Sequence, residues 1–183
     1  MGRCALDEKV FSCCFTGYRP QKFPFPIDKR SLAYTEFENR LITAVIDLAK
    51  AGCRTFYSGM AMGFDIIAAE CVLLVAKLKN FRDIKLVCAL PFKDQANAFP
   101  PDWKSRYDEI ISRADEVVLI SDRYYRNCYF DRNRFMVDNS DCVVTWFDGS
   151  PGGTKSTINY AESIHRKVIN LNTEYENDRN DNS

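Results

Sequence analysis

The chain has 183 residues, 46% of them hydrophobic and 27% charged, and its 25 Lys+Arg balance 25 Asp+Glu for zero formal charge. A chain of this length suits one domain and buries roughly 70% of its unfolded surface, so it needs no disulfide or metal staple. Zero net charge argues against a surface built as a polyanion sink, while leaving room for a local basic patch.

Short apolar runs alternate with helical patterns along the chain. Strands are expected over 11–16, 53–57, 84–90, 116–120, 142–147 and 168–171. They are almost continuously apolar, as strands buried on both faces should be. Helices are expected over 34–51, 64–79, 103–114, 130–140 and 154–166. In the first, Phe37, Leu41, Val45 and Leu48 fall on one stripe. Strands alternating with helices predict an α/β fold, a Rossmann-like three-layer sandwich with a mostly parallel sheet and helices on both faces. Its ligand crevice belongs at the strand C-terminal ends, near a switch in strand order. One domain is expected over 1–171. The segment 172–183 is too polar to pack and is expected as a frayed tail.

Four loops carry the chemistry, each after an expected strand. The first is Phe15-Thr16-Gly17-Tyr18-Arg19-Pro20. Thr16 offers a hydroxyl, Gly17 a close approach, and Arg19 a forked cation suited to phosphate or carboxylate. The following segment 21–26, proline-punctuated and aromatic, is either a lid or a rigid connector. The second, Ser58-Gly59-Met60-Ala61-Met62-Gly63-Phe64-Asp65, has a glycine-bearing turn running into a helix N-terminus. Free amides and the helix dipole there favour an anion. Asp65 either caps the helix or holds a ribose hydroxyl, with capping the plainer role. Glu70 lies one turn further in.

The third loop is the Arg- and aromatic-rich run 121–134, from Ser121 to Arg134. Arginines with stacking rings suit a base and its phosphate, or single-stranded nucleic acid. A solvated helix start with inward ring stems is the plainer reading. Arg132 or Arg134 is expected to reach the pocket. The fourth, Asp148-Gly149-Ser150-Pro151-Gly152-Gly153-Thr154-Lys155-Ser156-Thr157, nearly spells a Walker A loop, but Thr154 stands where that motif needs glycine before Lys155. A simpler anion cradle fits better: the amides of Gly152, Gly153 and Thr154, with the Thr154 and Thr157 hydroxyls nearby.

Eight cysteines occur without a CxxC pair and mostly within apolar runs, so buried reduced thiols are expected. The one histidine, His165, is expected late in a helix, where it complements the dipole. Without clustered Cys/His ligands, no metal site and no cofactor are expected. No signal-peptide pattern opens the chain, no apolar run reaches transmembrane length, and Leu6 replaces the Ser or Thr of a myristoylation motif. A cytoplasmic protein without membrane attachment is expected.

The Thr16-Gly17-Tyr18-Arg19, 58–65 and Gly152-Gly153-Thr154 segments together resemble the YpsA-like family. That family belongs to the Rossmann-like SLOG superfamily shared by DprA/Smf and LOG proteins. The resemblance covers about residues 10–171. Its first motif usually carries His where Tyr18 stands. It implies binding or sensing of a nucleotide or nucleotide-derived small molecule by Thr16, Gly17, Arg19, Ser58, Gly59, Met60, Ala61, Gly63, Asp65, Arg132, Gly152, Gly153, Thr154 and Thr157. LOG enzymes cleave the N-glycosidic bond of nucleoside 5′-monophosphates, and DprA proteins bind single-stranded DNA. Both remain alternatives for this chain, nucleic acid being the weaker. Against the LOG pattern, Arg132, Met136 and Asp141 match in spacing, Asn133 replaces a Lys, and the glutamate position falls on Thr157. Glycosidic cleavage needs an acid to help the leaving base. The nearest candidate acid, Glu162, lies further along the helix, and Asp65 or Glu70 could supply a carboxylate from the other loop. Superfamily relatives often self-associate, so the resemblance leaves a homodimer open as a partner state.

Overall fold

In the computed structural model, which describes residues 10–172, an apolar hexapeptide Ser12–Gly17 forms the central strand, β1. The chain then runs α1 (Leu32–Lys50), β2 (Thr55–Ser58), α2 (Phe64–Val75), β3 (Lys85–Leu90), α3 (Pro101–Arg113) and β4 (Glu116–Leu119). It continues through α4 (Cys128–Asp138), β5 (Cys142–Trp146), α5 (Gly153–Ser163) and β6 (Lys167–Asn170). All strand pairs are parallel and the sheet order is β4-β3-β2-β1-β5-β6.

This order explains the two helical layers. From β1 the chain steps outward to β4, then returns to the other side of β1 for β5 and β6. Right-handed crossovers taken in opposite directions place their helices on opposite faces. Accordingly α2 packs against α1 and α3, whereas α4 packs against α5. Side-chain alternation matches: Cys13 and Phe15 of β1 join the core beneath α1 and α2, and Cys14 between them joins the smaller core with Met136, Val137 and Ala161. The period of two along a doubly covered strand is why the run reads as continuously apolar. The direction change between β1 and β5 is the topological switch, where α/β sheets hold ligands.

The expected stripe of α1 is buried at Phe37, Leu41, Val45 and Leu48. Helix α2 is buried on nearly all sides, as the middle helix of its layer. Two expectations need correction. The two edge strands, β4 and β6, are not buried on both faces: Val117 and Leu119 of β4 are exposed, and no residue of β6 is fully buried. His165 is not in a helix. Helix α5 ends at Ser163, and His165 takes φ 60° in the turn beyond it. There its amide donates to the Glu162 carbonyl and that of Arg166 to the Ala161 carbonyl. This is a Schellman closure with histidine where glycine is usual.

The seven described cysteines are buried and free; Cys4 lies outside the described residues, as does the expected tail apart from Asn172. Among the described residues no helix is long and apolar enough to cross a membrane, and no group of His, Cys, Asp and Glu is arranged to hold a metal ion.

Candidate functional site

At the C-terminal ends of β1 and β5 two side-chain bonds tie the adjoining loops together. The Tyr18 hydroxyl accepts from the Asp148 amide at 2.8 Å, and the Thr154 hydroxyl donates to the Gly17 carbonyl at 3.1 Å. Burial, followed by the neighbouring Asp148, pushes the Tyr18 phenol up to about 12, so it stays neutral. The segment after Arg19 is a connector rather than a lid. Phe23 and Phe25 pack on Phe37, and Phe25 also on Trp146, which holds a short turn at Pro20–Lys22 over the crevice. Lys22 Nζ lies 3.4 Å from the Pro151 carbonyl.

Between these loops lies a cavity of about 190 Å3. The predicted residues Thr16, Gly17, Arg19, Ala61, Asp65, Arg132, Gly153 and Thr154 line it. So do Tyr18, Lys22, Tyr129 and Asn133, which sequence reasoning did not select. Each had a signal there: Tyr18 at the usual His position of the first family motif, Lys22 in the aromatic connector, Tyr129 in the Arg-aromatic run, Asn133 at the lysine position of the LOG pattern.

Ser58, Gly59, Met60 and Gly63 do not line it. They form the layer beneath. Ser58 is fully buried, donates to the Asp65 carbonyl and accepts from the Met60 amide. Met60 is itself buried, in a left-handed conformation with φ 55°. A Cβ on Gly63 (φ 96°) would stand 2.2 Å from the Tyr18 carbonyl oxygen, and one on Gly59 would stand 1.4 Å from Arg132 Nη1. These glycines make room for protein atoms. The N-terminus of α2 is closed as well, because the Phe64 amide donates to the Tyr18 carbonyl at 2.9 Å. The anion cradle expected at 58–65 is therefore filled from within.

The N-terminus of α5 is different. Its first internal bond belongs to the Ser156 amide, on the Gly152 carbonyl. The amides of Gly153, Thr154 and Lys155 have no partner among the described residues, and nothing lies within 4 Å of a Cβ placed on Gly153. Gly152 precedes them at φ 149°, outside the cavity wall, with only Lys22 Nζ near its would-be Cβ. Thr157 also lies outside that wall. Its hydroxyl donates to the Gly153 carbonyl and accepts from Asn133 Nδ2, both at 2.9 Å.

Arg132 and Asp65 form the floor. They are 3% and 6% exposed, and Arg132 Nη1 stands 3.5 Å from Asp65 Oδ2, a loose contact. Arg132 Nε is buried without a partner. Burial pushes the Asp65 carboxyl above its ordinary value, with the Arg132 and Arg19 guanidiniums pulling back. Burial lowers Arg132, Asp65 opposes that, and Arg19 adds like-charge repulsion. The cavity thus gathers Arg19, Lys22 and Arg132 against one lining carboxylate, Asp65. Glu70 is no part of it. Glu70 holds Arg106 through two bonds, of 2.7 and 2.6 Å, in a larger groove of about 510 Å3 between α1, α2 and α3.

The model of the YspA SLOG family (YpsA) matches residues 13–176. The chain belongs to this family. It is 29% identical over 143 residues to the SPbeta prophage-derived protein YoqJ of Bacillus subtilis (strain 168), covering 71% of this chain and 82% of that one. A UPF0398 protein of Bacillus cereus is 27% identical over 151 residues, with 80% of each chain covered. Among solved structures, DNA processing protein A from Helicobacter pylori, described by its single-stranded DNA binding mode, superposes with a TM-score of 0.57 at 20% identity. That match covers 86% of this chain and 63% of the Helicobacter protein, so the chain spans less than two thirds of it. TM1055, a structural-genomics target, superposes with a TM-score of 0.52 at 19% identity, covering 87% of this YpsA-family chain and 72% of the other. At these identities the structural likenesses speak for the Rossmann-like fold.

Proposed function

We propose that the crevice between the β1 and β5 loops binds a nucleotide or nucleotide-derived small molecule by its phosphate. The observation that carries this reading is the state of Arg132. A guanidinium has five donors, and this one is buried with a single 3.5 Å contact and an orphaned Nε. Leaving such a group unpaired is costly. A bound phosphate would supply acceptors to the part of the guanidinium that lines the cavity, relieve the repulsion between Arg132 and Arg19, and meet the free amides of Gly153 and Thr154 at the positive end of α5.

Binding is better supported than glycosidic cleavage. The LOG glutamate position is Thr157, whose hydroxyl is already engaged, and Asp65 already faces Arg132.

The test is a thermal-shift screen of the purified protein against AMP, ADP, ATP, NAD, ADP-ribose and cyclic nucleotides. A ligand that binds only the native state raises the melting temperature. The reading expects a shift with at least one of these, lost in Gly153→Val, whose side chain would enter the cavity. No shift with any of them would overturn it.

One observation favours a second reading, single-stranded nucleic acid. Tyr124, Tyr125, Tyr129 and Phe130 are exposed and interleaved with Arg123, Arg126 and Arg134, a composition on which bases stack. It expects oligonucleotide affinity that falls steeply with salt and falls further in Arg123→Ala or Arg126→Ala.

A further inference from the structure

The phosphate crevice has a neighbour of different chemistry. A second cavity, of about 240 Å3, lies across Tyr129, Asn133 and Gly153, which line both. Together the two fall within the range usual for small-molecule sites, roughly 300–1,000 Å3. The first is lined by Arg19, Lys22 and Arg132. The second is lined by the rings of Tyr129, Phe130 and Tyr160 and by Arg126 and Arg134. Arg134 lies over two of those rings, 4.5 Å from the Tyr160 centroid and 5.3 Å from that of Phe130. Aromatic faces and guanidinium planes both stack on a flat heterocycle.

The junction is also specified. The Thr157 hydroxyl spends its proton on the Gly153 carbonyl, so it accepts from Asn133 Nδ2. That orients the Asn133 amide and leaves its Oδ1 as the acceptor end. An acceptor between a cationic cavity and an aromatic one suits a sugar hydroxyl.

We propose that the second cavity is a base subsite, so that the ligand is a nucleotide lying across both cavities. Its phosphate sits among Arg19, Lys22 and Arg132, its sugar at Asn133, and its base against Tyr129, Phe130 and Arg134. The assignment rests on the phosphate reading of the first cavity. It goes further in excluding bare phosphosugars and inorganic polyphosphates as the preferred ligand.

Titration calorimetry with AMP, GMP, CMP, UMP and ribose 5-phosphate tests it, on the wild type and on Phe130→Ala, Arg134→Ala and Lys22→Ala. All three substituted side chains are partly or largely solvent-exposed, and a thermal melt of each variant confirms the fold. The expected result is that at least one mononucleotide binds the wild type more tightly than ribose 5-phosphate does. Phe130→Ala and Arg134→Ala should weaken that mononucleotide roughly 5- to 150-fold, the value of one stacked base, and leave ribose 5-phosphate unchanged. Lys22→Ala should weaken both. Ribose 5-phosphate binding as tightly as every mononucleotide, or Phe130→Ala and Arg134→Ala leaving mononucleotide affinity intact, would overturn the base subsite while the phosphate site stood. Binding of none of the five would overturn this assignment, and the thermal-shift screen with ADP, ATP, NAD, ADP-ribose and cyclic nucleotides would then decide the phosphate reading separately.

Discussion

Arg132 and Asp65 make the crevice possible, and each is unstable without the other. Both are buried, they sit 67 positions apart in sequence, and Gly59 leaves the space the guanidinium fills. Removing one partner of a buried pair leaves a stranded charge and costs roughly 3–5 kcal/mol, whereas replacing both with apolar groups costs much less. Asp65→Ala and Arg132→Met should therefore each lower stability in urea unfolding by about that amount, and the double variant by clearly less than their sum. Strictly additive losses would mean that the two groups do not interact. Sequence reasoning placed Arg132 in the pocket from motif spacing. It gave Asp65 a cap or ribose role, because nothing local shows that a residue 67 positions away faces it.

At the scale of elements, the two helix N-termini behind glycine-bearing loops behave oppositely. Helix α2 begins against the carbonyl of Tyr18 and is closed, while α5 begins with free amides. Sequence reasoning treated both as open cradles. A glycine that admits a ligand and one that admits a neighbouring backbone look the same in a sequence, and only the packing of the β1 loop on Gly63 separates them. The substitutions divide accordingly. Gly63→Ala forces a Cβ to 2.2 Å from a backbone oxygen at a φ of 96° and should destabilise the fold severely, by several kcal/mol (roughly 1–3 for the backbone strain alone). Gly153→Ala meets nothing within 4 Å and should leave the melting temperature within a degree or two. Differential scanning calorimetry of the two variants checks this. A Gly63→Ala protein as stable as the wild type would contradict the closed α2 terminus.

Over the whole molecule, the continuous apolar runs were enough to predict a parallel sheet, and strand–helix alternation enough to predict two helical layers. Both patterns follow directly from burial on two faces. Edge position left no comparable mark, so β4 looked like its buried neighbours. The strand order, and with it the choice of β1 and β5 as the switch, depends on contacts between runs more than 120 residues apart, such as Cys13 with Cys142. The larger groove, between α1, α2 and α3, has Glu70 and Arg106 already paired, whereas the smaller crevice at the switch has a buried cation held by one loose contact, with its Nε unpartnered, and helix amides without partners among the described residues.

The proposed function puts a phosphate-bearing ligand between the β1 and β5 loops. Backbone amide chemical-shift mapping by NMR, with AMP and ADP-ribose as probes, tests it most directly. The largest shifts are expected on Gly17, Arg19, Gly153, Thr154 and Lys155, with smaller ones around Asn133. Shifts concentrated on Glu70, Arg106 and Arg113 in the helical groove, or no shifts from either probe at millimolar concentration, would contradict it.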